Sequence, residues 1–447
     1  MNRAATSPYS HRNVRALAAP MILSNVTVPL LGLVDTAVMG HLDDARYLAA
    51  VAVGATIFSF LFMGLNFLRM GTTGLAAQAR GAGDGDRTRA VLAQALLIAL
   101  SVAGLLLAIQ RPVGQLAMWL IAPETPVIEP AWTYYSVRIW AAPAVLANFA
   151  LVGWFIGMQN TRAPLYLMLV TNLVNIGLSL LLVVGLGYRT GGVAAASVVA
   201  EFTGLGFGVW LVRRELAILG GRLERRQVLD PARLRQVFSV NGNLFVRTLS
   251  LMFVFGFITA QGARQGTAIL AANAILLQFQ YFMAYALDGF AHAAEALVGR
   301  ALGERNRRGF REAVRLSLIW SAAVALVFAV AYLAGGRGIV GLLTGQAALR
   351  ELTFQFLPWM IASPLISFWS FLFDGVFVGA TWAREMRNTM VLSVLGAFLP
   401  VFYLGQAAGL GNHGLWFAFL VFMAARALTM GYVYRRKGAA LYAAVPA

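Results

Sequence analysis

Apolar stretches long enough to cross a bilayer as helices recur from one end of this chain to the other, and no other feature constrains its fold as tightly. A helix needs about 20 apolar residues to traverse roughly 30 Å of hydrocarbon. Inside that hydrocarbon the backbone must satisfy its own hydrogen bonds, which leaves only helices and closed barrels. Composition agrees: 60% of the residues are hydrophobic and 12% are charged, against about 25% charged in soluble domains. The chain reads as an all-α integral membrane protein.

Polar breaks divide the 447 residues into twelve spans, near 14–41, 47–73, 88–111, 128–157, 162–186, 191–213, 234–263, 268–299, 310–335, 350–380, 388–409 and 412–435. The arginines test that count. Arg46, Arg111, Arg189, Arg264, Arg337 and Arg350 fall in loops on one side, and Arg69, Arg138, Arg247 and Arg426 fall within spans. The other 25 of the 35 basic residues gather on the opposite side. Basic residues mark cytoplasmic loops, so both termini are expected in the cytoplasm, and the net charge of +17 needs no nucleic-acid partner. The basic stretch "MNRAATSPYSHRNVR" leads into a long first span and is expected to stay attached, since a cleaved signal has a shorter apolar core.

The expected organisation is a cytoplasmic N-terminal segment (1–13), a first lobe of spans one to six (14–213), a cytoplasmic linker (214–233), a second lobe of spans seven to twelve (234–435) and a cytoplasmic tail (436–447). The midpoint segment "RRELAILGGRLERRQVLDPARLR" (213–235) has the charge and the Gly and Pro punctuation of a linker. A shift of 222 residues lays "LAAVAV" (48–53) on "LAANAI" (270–275), Gly40 on Gly262, Phe60 on Phe282, Leu75 on Leu297, Ala79 on Ala301 and Gly81 on Gly303. Six spans per repeat is an even number. The expected fold is therefore two six-helix lobes related by a pseudo-twofold axis along the membrane normal, a transporter architecture.

Ionisable groups at membrane depth are costly and usually face a bundle interior. The acids are Asp35, Glu201, Asp288, Glu295 and Asp374. Tyr281, Tyr285, Asp288, His292 and Glu295 share one helical face, as do Ser363, Ser367, Ser370 and Asp374, while the seventh span offers Asn243, Arg247 and Ser250. Arg247, Asp288 and Asp374 each lie roughly 15–18 Å from a cytoplasmic arginine along their helices. They form a candidate polar network with Tyr281 and Tyr285, read either as a clamp or as a second ion-coupling site.

Asp35 stands apart in "LLGLVDTAVMGHL" (30–42), with an apolar repeat mate, Phe257. Desolvation favours the protonated form of a carboxylate. A group poised that way can trade a proton for a cation. Asn172, Asn175 and Ser179 stripe the fifth span, and Ser197 lies in the sixth. Pro20 and Pro29 each remove a backbone hydrogen bond from the first span and favour bending there. Met39, Met63, Phe60 and Phe155 are candidates to line an adaptable chamber.

Several classes are excluded or unsupported. With no cysteine there is no disulfide or thiolate chemistry, and the four scattered histidines suggest no metal site. No Walker A motif, nucleophilic triad or paired-carboxylate spacing is present, so neither an enzyme nor a resident cofactor is expected. "GAGDGD" (81–86) reads as a turn, and the glycines of "TGLGFG" (203–208) as close helix packing.

The stretches "APMILSNVTVPLLGLVDTAVMGHL" (19–42), "GLAAQARGAGD" (74–84), "NGNLFVRTLSLMFVFGFITAQGAR" (241–264), "LDGFAHAAEALVGRALG" (287–303) and "FDGVFVGATWAREMRNTM" (373–390) together resemble the multidrug and toxic compound extrusion (MATE) family, in its DinF branch. The resemblance implies a monomeric antiporter in a bacterial inner membrane that exports drugs or toxic metabolites, often lipophilic cations. It implies that Asp35 binds the coupling cation or proton, that Pro20 bends its helix, and that Asn175, Ser179 and Ser197 complete the site. Related proteins carry an aspartate at the position of Ser179. Its loss here favours a proton gradient over sodium as the driving force. A lipid-linked precursor flippase of related architecture is the alternative, and it would need more cationic side chains within the spans than four arginines.

Overall fold

The computed structural model describes residues 7–40 and 44–443, with the side chains of 28–40 and 439–443 excepted. Its long helices, in chain order, are α1 (His11–Gly40), α2 (Ala45–Gly81), α3 (Gly85–Ala108), α4 (Thr125–Gly157), α5 (Arg162–Gly185) and α6 (Thr190–Ile218), then α7 (Pro231–Arg264), α8 (Thr267–Gly303), α9 (Arg307–Leu343), α10 (Ala347–Gly379), α11 (Ala383–Ala407) and α12 (Gly411–Ala443). Each of the twelve expected spans coincides with one of them, and the helices mostly overrun the apolar stretch at its ends. No strand occurs among the described residues. The chain is an all-α, multi-pass membrane protein.

The 222-residue repeat is written into the backbone. That shift carries Ala45–Gly81 onto Thr267–Gly303 and Thr125–Gly157 onto Ala347–Gly379, end for end. It also carries Gly85 through Ile121, the latter closing a short helix that continues α3, onto Arg307–Leu343. The turns repeat as well. Gly83 and Arg305 are both left-handed, as are Gln159 and Thr381, and Gly187 and Gly409. Asp84 caps α3 by accepting from the Arg87 N–H, and its mate Asn306 caps α9 by accepting from the Gly309 N–H.

Close helix contacts repeat too. A Cβ on Gly157 would lie 2.7 Å from the Thr73 carbonyl oxygen, and one on Gly379 would lie 2.5 Å from the Glu295 carbonyl oxygen, the equivalent position. Bare backbone at these glycines lets α4 rest on α2, and α10 on α8. Each half also breaks one helix with a π turn, Leu180–Gly185 in α5 and Val394–Phe398 in α11. These two turns are not at equivalent positions.

Contacts group the chain into two compact units, Leu23–Phe238 and Met1–Ile22 with Ser239–Ala447. The first unit centres on Trp154 and Phe155, both fully buried, with the Trp154 indole donating to the Thr88 carbonyl at 3.1 Å. The second has an aromatic core around Phe279, Phe398, Trp416, Phe419 and Phe422. The boundary between the units falls inside α1, whereas the sequence reading assigned that whole span to the first lobe. Side-chain chemistry explains the division. His11 accepts from the Trp320 indole at 3.2 Å, Arg15 stacks over that ring at 5.1 Å, and Ile22 fills the gap left by Gly289. Two residues later, Ser24 donates to Met168 in the other unit.

Tyr9 ties the start of the chain to the same half, donating to Glu304 Oε2 at 2.6 Å while Arg300 donates to Oε1 at 2.6 Å. Burial pushes the Glu304 carboxyl upward, but the bonds from Tyr9 and Arg300 outweigh it and hold the group below its ordinary 4.5. A depressed carboxylate stabilises the fold above its unfolded value, and that stability is lost as pH falls through the folded one. Tyr9→Phe is therefore expected to lower thermal stability near neutrality, with the difference from the parent protein shrinking as pH falls below 4.5. Melting curves across pH 3–7 check this.

Candidate functional site

Among the polar side chains that meet within the apolar helices, three clusters involve the candidate site residues or a membrane-depth acid. The first is uncharged and joins α5 to α6. Asn175 donates its amide N–H to Ser197 Oγ at 2.9 Å, and Ser179 donates to Asn175 Oδ1 at 3.3 Å. All three are at most 3% exposed. Burying such groups is tolerable only when they bond to one another. Their repeat mates are Ala397, Val401 and Phe419, so the fold has no general need of polarity here. The α5 π turn begins immediately after Ser179, and π turns frequently mark functional positions. The structure thus brings together the three neutral residues expected to surround Asp35. The Asp35 side chain itself, with those of Pro29 and Met39, lies outside the described residues. The backbone of α1 is helical through Pro20.

The second cluster, in the same unit, carries charge. Glu201 on α6 accepts from the Asn148 amide at 3.1 Å, and Arg138 Nη2 lies 3.9 Å from its other carboxylate oxygen. The Arg138 guanidinium sits 6.0 Å over the Phe58 ring. Arg138 Nη1 and Asn148 Oδ1 are buried without a hydrogen-bond partner. The pairing escapes a sequence reading because the partners lie on different helices. The repeat gives no signal either, since the mates of Arg138 and Glu201 are the uncharged Met360 and Met423. One bond is common to both halves. Asn148 donates to the Glu201 carbonyl at 3.2 Å, and its mate Ser370 donates to the Met423 carbonyl at 2.8 Å.

The third cluster lies in the other unit. Asp374 Oδ2 accepts from both Arg247 and Arg426, the latter at 2.7 Å. Asp374 Oδ1 and both Nε atoms are buried without a partner. Asp288 lies within electrostatic reach of Arg426 and of Tyr285. Tyr281 instead packs on Phe255, with ring centres 5.8 Å apart. The network expected around Arg247, Asp288 and Asp374 thus gains Arg426 from α12, which helical spacing could not supply. Asn243 and Ser250 bond to carbonyls of their own helix. One helical turn along α8, His292 contacts Glu295 at 3.3 Å. The first-half mates of Arg247, Asp374 and Arg426 are Asn25, Val152 and Gly204. Each half therefore places a charged side chain in the apolar middle of its sixth helix, Glu201 and Arg426, at repeat positions one turn apart.

Of the residues proposed to line a chamber, Phe60 and Met63 are exposed on α2. Phe155 is a core residue, fully buried edge-on against Trp154 at 5.3 Å. Among the described residues, no three His, Asp or Glu side chains converge as metal ligands would.

The MatE family model matches this chain twice, over residues 20–181 and 244–404, in register with the repeat. DNA damage-inducible protein F of Escherichia coli strain K12 is 44% identical over 420 residues, covering 94% of this chain and 91% of that protein. A probable multidrug resistance protein NorM of Bradyrhizobium diazoefficiens is 27% identical over 432 residues, covering 91% and 89%. Among solved structures, a MOP superfamily transporter from Pyrococcus furiosus superposes with a TM-score of 0.87 at 17% identity, covering 97% and 96% of the two chains. That last likeness is one of fold.

Proposed function

Because the chain belongs to the MatE family of multidrug efflux transporters, and so is a transporter rather than an enzyme, we propose that it is a proton-driven antiporter. It exports lipophilic cations and related toxic compounds across a bacterial inner membrane, as a monomer with both termini in the cytoplasm. The observation that carries this reading is the buried Asn175–Ser179–Ser197 cluster. It is polar where the other half is apolar, and it is uncharged.

In this scheme Asp35 supplies the one charge of the site. Deprotonated, it attracts a cationic substrate. A proton from outside neutralises it, the attraction disappears and the substrate leaves. The protonated carrier then returns, and the proton escapes to the cytoplasm. A carboxylate held in an apolar setting suits this exchange, because the setting penalises its charge unless a cation compensates. Neutral neighbours favour a proton, which needs a single basic oxygen, over sodium, which prefers several oxygen ligands with more negative charge. Pro20 and Pro29 lower the cost of bending α1 by removing hydrogen bonds from it. Pro20 is next to the division of α1 between the two units, which supports that helix as a moving part.

The test is substrate efflux from proteoliposomes under an imposed pH gradient, with and without sodium. Asp35→Asn is expected to abolish substrate-evoked proton movement, and Ser179→Ala to reduce it only a few-fold. Unimpaired coupled transport by Asp35→Asn removes that residue from the mechanism. Efflux that responds to sodium and not to pH replaces the proton.

A further inference from the structure

We infer that the connection between the two halves, residues 219–230, is an interfacial anchor that takes anionic phospholipid headgroups of the cytoplasmic leaflet. Sequence reading treats this stretch as a charged linker. The structure ties its backbone down against α3. Arg89 Nη2 donates to the carbonyls of Leu216 at 2.5 Å and Leu219 at 2.6 Å, and its Nε donates to Gly220 at 3.3 Å. The Arg222 N–H donates to Asp86 at 2.6 Å. Gln94 donates to the carbonyls of Gln227 and Val228 at 3.2 and 3.1 Å.

These bonds fix the position of the segment along α3, whose apolar span begins near residue 88. Gln94 lies nine residues beyond the start of α3, about 14 Å along that helix. The short helix Arg225–Val228 therefore runs beside an apolar membrane helix instead of hanging below it.

With the backbone satisfied from one side, the outward side chains are apolar and basic, with one exposed acid, Glu224, among three arginines. Ile218, Leu223 and Leu229 are 87%, 56% and 47% exposed, a poor arrangement in water. Interleaved with them are Arg222, Arg225 and Arg226, all exposed. Just before the segment, Trp210 is half exposed with the Arg214 guanidinium stacked on it at 5.0 Å, the pairing of an aromatic belt with basic headgroup contacts. Apolar groups that enter the acyl boundary and arginines at headgroup level fit an anionic leaflet. A soluble acidic partner would satisfy the arginines but not explain apolar side chains at this depth. The inference needs only that the chain is embedded in a membrane, and it is independent of what is transported.

Because the chain has no cysteine, Leu223→Cys provides a unique attachment point for an environment-sensitive fluorophore in nanodiscs. In discs containing phosphatidylglycerol, the probe is expected to be quenched by acyl-chain nitroxides and shielded from iodide. The combined Arg222→Gln, Arg225→Gln and Arg226→Gln variant is expected to weaken the preference for anionic over zwitterionic lipid by roughly 100-fold. The corresponding three lysine replacements should retain it. A probe equally open to iodide in both lipids overturns the inference, as does shielding that requires a soluble acidic protein. If the labelled variant fails to fold, native mass spectrometry of the unmodified protein decides. Selective retention of phosphatidylglycerol supports the anchor, and equal retention of both lipids refutes it.

Discussion

Asp374→Val is expected to be among the most damaging single substitutions in this protein, costing about 3–5 kcal/mol or preventing folded protein from accumulating. Valine is the residue the repeat already holds at the equivalent position, Val152, so shape is not the difficulty. The difficulty is charge. Arg247 and Arg426 both donate to the same carboxylate oxygen, and their side chains are 9% and 3% exposed. Without Asp374 two guanidinium groups remain in a poorly solvated interior, and neither deprotonates.

Removing the whole set is expected to be far milder. A variant combining Arg247→Met, Asp374→Val, Arg426→Met and Asp288→Asn leaves no orphaned charge, and such replacements are often neutral or stabilising. Unfolding of the detergent-solubilised variants, followed by tryptophan fluorescence, checks both results. A stable Asp374→Val protein would show that the cluster is not a brace. The combined variant then separates structure from coupling. If it folds and transports normally, the cluster only holds helices together. If it folds and loses proton-coupled efflux, the second half contains an ion site of its own.

The second large effect is expected at the glycines where helices meet backbone to backbone. Gly379→Ala places a methyl group 2.5 Å from the Glu295 carbonyl oxygen, and Gly157→Ala places one 2.7 Å from the Thr73 carbonyl oxygen and the Ala76 methyl. Real Cβ atoms do not approach so closely, and a carbonyl within a helix cannot swing aside as a side-chain tip can. Each pair of helices must separate, at a cost of about 2–3 kcal/mol. The two variants should be comparably damaging because they perturb equivalent contacts. Gly256→Ala is the control. A Cβ there meets nothing within 4 Å, and the improved helix propensity should leave stability unchanged or raise it by roughly 0.5–1 kcal/mol.

The same contrast between local and long-range information separates what was legible in the sequence from what was not. Span number and position were legible because the cost of exposing polar backbone to hydrocarbon is set by length and apolar content alone. The repeat was legible because one offset, without gaps, lays "LAAVAV" on "LAANAI" and matches Gly40 with Gly262, Ala79 with Ala301 and Gly81 with Gly303. The neutral cluster was partly legible. Asn175 and Ser179 share a helix face by spacing, but the bond to Ser197 depends on how α5 meets α6. Arg138 and Glu201, and the place of Arg426 beside Asp374, were not legible. Helical periodicity relates residues three and four apart, and these partners come from separate helices.

By itself, then, the sequence determined that this chain is a twelve-helix membrane protein made of two similar halves, since hydrophobic length and periodicity are properties of contiguous residues. Only the tertiary structure decided which buried charges face which partners, where α1 passes from one unit to the other, and that the charged connection lies along α3. Each of these depends on packing between segments far apart in the chain, where the cost of burying a polar group is set by a neighbour that no local pattern identifies.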